Sequence, residues 1–156
     1  MLALLIIVVL AATQAGSPGA PKFEDYPVRG IFRGTPTPPA LTTVEARRFR
    51  TELHRQAASG PNFAGHFTFA RWSCGAGCVT GAIIDARTGH VWFPKFRVED
   101  AVASSGRIAV HHATDFHVDS ELVVATGVVN DQRPGTAYFR WHEGMLSLIR
   151  FEEHRN

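Results

Sequence analysis

The chain has 156 residues, 45% of them hydrophobic and 19% charged, a composition that fits one globular domain and excludes a disordered chain. Sixteen basic against fourteen acidic side chains leave a formal net charge of +2. That balance is too even for nucleic-acid binding, which needs basic residues massed on one face.

Leu2 to Ala12 is an unbroken apolar run, followed by Thr13-Gln14-Ala15-Gly16. It is shorter than the roughly 20 apolar residues an ordinary membrane-spanning helix requires. It matches the apolar region of a secretory signal, with small Thr13 and Ala15 placed for cleavage after Ala15. No Lys or Arg precedes the run, so only the α-amine supplies its positive flank, and the competing reading is an uncleaved anchor. Residues 1–15 are therefore assigned as a signal peptide, and the mature chain is expected in the periplasm or medium, without stable membrane insertion.

Residues 16–41 form a leader and linker, broken by Thr35-Pro36-Thr37-Pro38-Pro39, with one short strand over Tyr26 to Phe32. Residues 42–156 form the globular domain. Thr42 and Glu45 are spaced as a capping box. Ala46, Phe49, Leu53 and Ala57 then recur at helical spacing up to Gly60-Pro61, which ends the helix. Beyond Pro61 the chain reads as strands and turns. Asn62 to Trp72 alternates, with Phe63, Phe67 and Phe69 on one face and His66, Thr68, Ala70 and Trp72 on the other. Val79–Ile84 and His90–Phe93 flank a turn from Asp85 to Gly89. Further strands are expected at Arg107–His112, Glu121–Val129, Thr136–His142 and Met145–Phe151. Glu143-Gly144 joins the last two, which sets His142 opposite Met145 and Phe139, Trp141, Leu146 and Leu148 on one face. The expected fold is α+β and mostly β: an antiparallel meander, open or barrel-like, with one N-terminal helix packed on it.

Cys74-Gly75-Ala76-Gly77-Cys78 holds both cysteines of the chain. Two lone cysteines in an exported protein are most simply one disulfide, and the glycines permit the tight turn that joins them. A redox dithiol is the weaker reading, because the spacing exceeds Cys-x-x-Cys and strand sequence follows. The same Gly-rich loop can present backbone N–H groups to an anion, with Arg71 and Trp72 alongside. His111, Asp115, His117 and Asp119 are the alternative metal set, although turn chemistry accounts for the same residues and no cofactor is assigned.

Gly60-Pro61-Asn62-Phe63-Ala64-Gly65-His66-Phe67, Trp72-Ser73-Cys74-Gly75-Ala76-Gly77-Cys78 and Ile83-Ile84-Asp85-Ala86-Arg87-Thr88-Gly89 together resemble a family of small exported bacterial proteins of unassigned function. A weaker likeness continues through Asp119-Ser120-Glu121-Leu122 and the Trp141 to Leu146 turn. The resemblance implies a secreted bacterial origin and brings no catalytic residue. Signatures such as Gly-x-Ser-x-Gly, the phosphate-binding loop and His-Glu-x-x-His are missing. The sequence thus favours a non-enzymatic binding module for an envelope protein or cell-wall component, with His66, Arg71 and Trp72 at its surface. The alternative is a small hydrolase or metal-dependent enzyme using His66, His111, His117 and Asp115.

Overall fold

The computed structural model describes residues 19–154, so the signal peptide assigned to residues 1–15 lies outside the described residues. The protein is mostly β, with one antiparallel sheet of eight strands that is not closed into a barrel, and a small helical segment packed on it. No described helix is long and apolar enough to cross a membrane.

The helix is kinked. Residues Val44–Arg48 (α1) and Arg50–Ala57 (α2) are separated at Phe49, where φ is −99° and ψ 17°. The i→i−4 ladder nevertheless continues, from Phe49 N–H to Glu45 O at 3.1 Å and from Leu53 N–H to Phe49 O at 3.0 Å. The cap is Thr43, whose hydroxyl oxygen accepts the Ala46 N–H at 3.0 Å, and not Thr42. This one-residue shift puts Glu45 a position too early for the expected capping box.

Strands β1 (Phe67–Gly75) and β2 (Cys78–Asp85) form a hairpin, and β3 (Val91–Trp92) pairs with β2 after the Asp85–Gly89 turn. Gly89 has φ 75° and donates to Asp85 O at 2.8 Å, as the turn reading requires. β4 (Arg97–Glu99) joins this wing to β8 (Leu122–Val129), which also carries β7 (Ala113–Phe116) along the same side. β9 (Pro134–His142) and β10 (Met145–Glu153) complete the sheet, with His142 opposite Met145 and Trp141 opposite Leu146. β5 (Ala101–Val102) and β6 (Ile108–Val110) form a separate small ribbon.

The two wings face each other across an aromatic core. Phe69 of β1 lies 5.1 Å from Phe96, 5.2 Å from Phe116 and 5.7 Å from Phe63, between ring centroids. Ala70 and Trp72 face the other way, into a second cluster with Leu53, Ala57 and Phe49 of the helix. The alternation read from the sequence therefore holds from Phe67 to Trp72. It fails before Phe67, because Ala64 (φ 43°) and Gly65 (φ 81°) bend Asn62–His66 into a turn. Nor is Tyr26 to Phe32 a strand. It runs as an irregular strap, pinned by Val28 N–H to Asp119 O, Phe32 N–H to Gly65 O and Glu121 N–H to Tyr26 O. The Pro-rich segment is likewise tied down, by Thr37 N–H to Ala86 O and Ala40 N–H to Gly89 O.

β1 is one terminal strand of the sheet, yet its outer edge is occupied. Asn62 accepts the Phe69 N–H at 2.7 Å, and Gln56 both accepts the Arg71 N–H at 2.8 Å and donates to Arg71 O at 2.7 Å. Phe63 and Phe67 exchange backbone bonds at 3.0 Å. Side chains of the helix and of the following turn thus stand in for a neighbouring strand.

Cys74 and Cys78 form a disulfide, with Cα atoms 5.2 Å apart, across the β1–β2 turn. The closed loop is so short that its chain-entropy contribution is only about 2 kcal/mol. Replacing Cys74 with Ala is therefore expected to lower stability by no more than about 2–3 kcal/mol in urea unfolding. Alkylation of folded, unreduced protein is expected to leave both cysteines unlabelled.

Candidate functional site

A cleft of about 670 Å³ opens between the N-terminal strap, the β2–β3 turn and the β9–β10 turn. Its floor is three aromatic rings from three strands: Phe67 of β1, Trp92 of β3 and Trp141 of β9. Their centroids are 5.9 Å (Phe67–Trp92), 5.4 Å (Phe67–Trp141) and 5.5 Å (Trp92–Trp141) apart, and every pair is edge-to-face. Each such contact adds about 0.5–1.5 kcal/mol beyond area burial, so the three rings brace one another. Trp141 is 2% exposed, whereas Trp92 and Phe67 are half-buried. Gly144 sits so close to Trp92 that a Cβ there would lie 3.0 Å from the indole nitrogen.

The rim is polar. Glu121 accepts from Arg140 Nε at 2.8 Å and lies 3.6 Å from His142 Nδ1, so its carboxylate is held by two basic groups. Arg140 also stacks over Tyr26 at 5.8 Å. Arg29, Arg87 and His66 also line the opening. Burial first, and the Arg87 guanidinium second, hold His66 below its ordinary value of 6.5, while Asp85 at 4.0 Å acts in the other direction. His66 is thus neutral at neutral pH. The stability it contributes is present above its ordinary range and is lost as pH falls through the lower folded-state value.

A second cleft, of about 490 Å³, lies beside the disulfide loop and is lined by Gln56, Arg71, Trp72, Ser73, Gly77 and His112 among others. The structure therefore separates the three surface residues read from the sequence. His66 belongs to the aromatic cleft, and Arg71 and Trp72 to the loop cleft. The Trp72 ring packs 4.7 Å from Phe49 and 6.5 Å from Phe93, under the helix kink, so it is largely a packing residue.

The His-rich stretch is dispersed. His111 and His112 turn to Asp100, at 3.8 Å and 2.7 Å. Asp100 also accepts the His112 backbone N–H at 2.8 Å, and that bond is the main cause of its carboxyl lying below the usual range. His117 stacks on Phe23 at 3.8 Å and lies 3.8 Å from Asp115. Among the described residues, no three His, Cys, Asp or Glu side chains form a group able to hold a metal ion. The set His111, Asp115, His117 and Asp119 is thus not assembled as a site. Of His66, His111, His117 and Asp115, His66 lines the aromatic cleft, and the other three line neither of these two clefts.

Trp92, Trp141, Glu121 and Arg140 were not singled out as site residues by the sequence. No local signal marks them, because the floor exists only once β1, β3 and β9 converge. No protein-family model, curated protein or solved structure matches the chain.

Proposed function

We propose that the protein is a periplasmic or secreted binding module whose ligand site is the cleft floored by Phe67, Trp92 and Trp141. The ligand is an envelope component, in keeping with the apolar N-terminal run and the resemblance to small exported bacterial proteins. One observation carries this reading: a rigid aromatic floor inside a polar rim, in a cleft of about 670 Å³. Small-ligand sites combine this size with an apolar floor and a few convergent polar groups. Rings locked by mutual packing lose little conformational freedom when a ligand arrives, which favours affinity. The rim groups are engaged with one another, Glu121 with Arg140 and His142, an arrangement suited to orienting a polar ligand more than to proton transfer.

The test is a fluorescence titration of the purified mature protein with solubilised cell-wall glycan fragments, in parallel with capture from an envelope extract. Wild type is expected to give a saturating change, and Trp92→Ala to weaken binding by roughly tenfold or more, the usual size for an aromatic anchor. Trp72→Ala is expected to bind normally. A folded Trp92→Ala variant that keeps every ligand would remove the cleft from consideration. Turnover of glycan, ester or peptide substrates by the wild type would replace the binding-module reading with the hydrolase one.

A further inference from the structure

We propose that the cleft beside the disulfide loop is a second, separate site that binds an oxyanion, a carboxylate or a phosphate group, through Arg71 and the outer edge of β1. Arg71 is the starting point. Its guanidinium donates to one group, the Thr114 carbonyl at 3.2 Å, and lies over the Phe116 ring at 4.6 Å. Among the described residues no carboxylate pairs with it. Asp115 is exposed and acts on it only at longer range. A partly buried cation compensated only by this exposed, more distant carboxylate is costly, and an incoming anion would offset that cost. Burial lowers the Arg71 pKa, and Asp115 opposes this without cancelling it.

The backbone supplies the second element. Gln56 grips both the N–H and the C=O of Arg71, which fixes the root of that side chain. The Phe69 and Arg71 N–H groups both point to the outer edge, toward Asn62 and Gln56. The two-residue period of a strand puts the Ser73 N–H on the same edge, past the last side chain that seals it. Arg71 and Ser73 line the one cleft of about 490 Å³. His112 also lines this cleft, and the carboxylate behind it, Asp100, is already engaged with the backbone and ring of that residue. The disulfide loop docks on this acid, since a Cβ at Gly77 would meet Asp100 Oδ2 at 2.6 Å. Arg71 and the strand edge at Ser73 thus border one cleft, with the guanidinium anchored at the Thr114 carbonyl.

The experiment is an NMR titration of ¹⁵N-labelled protein with inorganic phosphate and, separately, with acetate, at constant ionic strength set by chloride. Saturating shifts of the Arg71 side-chain N–H and the Ser73 amide are expected with one anion or both. The arm that saturates at lower concentration identifies the source chemistry. Arg71→Lys keeps the charge but loses the fork of donors, and is expected to weaken binding by roughly tenfold. Arg71→Met is expected to abolish it, and if that variant does not fold the lysine variant carries the test. Shifts that do not saturate, shifts that chloride alone reproduces, or unchanged affinity in Arg71→Lys would overturn the proposal. Trp92→Ala leaves this site intact, which distinguishes its failure from that of the aromatic cleft.

Discussion

Replacing Phe69 with alanine is expected to lower the unfolding free energy by roughly 3–5 kcal/mol, the cost of an aromatic cavity that cannot collapse. Phe69 is 1% exposed and sits where both wings of the sheet meet. Its neighbours Phe63, Phe96 and Phe116 come from a turn, a loop and β7, so no single element can move to fill the void. A typical domain has about 5–15 kcal/mol in total, so this one change removes a large share. Urea unfolding should show a lower midpoint with an unchanged slope. A loss below about 1 kcal/mol would mean that the wings are not held together through this ring.

The second large effect is expected at Gly127. It lies on β8 between Val128, where pairing with β4 begins, and Thr126, where pairing with β7 ends, so it marks the fork between those strands. Its φ of 131° is a conformation that side chains rarely adopt, and a Cβ would overlap the Glu99 carbonyl oxygen and press on His112 at 3.3 Å. Gly127→Ala therefore combines backbone strain with a steric wedge, and roughly 2–4 kcal/mol should be lost. Glu99 precedes Asp100, so the Asp100–His112 contact should loosen as well. The His112 ring resonances would report this, and a variant with wild-type stability would show that the fork is wider than described.

The strands legible in the sequence are those with local punctuation. Asp85 to Gly89 and Glu143-Gly144 announce their turns, and each fixes the register of what it joins. β4, β5 and β7 are not legible because two to four residues carry no periodicity, and β4 in addition pairs with β2 and β8, which lie farther off along the chain. Asn62–His66 was misread as strand because its apolar spacing continues that of β1, while the left-handed backbone at Ala64 interrupts it. Thr42 and Thr43 are chemically equivalent caps, and only packing of Phe49 and Leu53 on β1 and β2 selects between them. Of the candidate site, His66 was found from its neighbours in sequence. The tryptophan pair required three strands to be folded together first.

The sealed edge of β1 makes the sheet directional. A strand added by a neighbouring molecule needs free N–H and C=O groups, and along Phe67, Phe69 and Arg71 these are already committed to Phe63, Asn62 and Gln56. The opposite terminal strand, β10, therefore finds no place along Phe67 to Arg71 of a neighbouring β1, whereas β10 against β10 pairs around a two-fold axis. Such a contact consumes the open edge of both partners and stops at two copies. Head-to-tail addition of β10 onto β1 is blocked by two carboxamides and a turn.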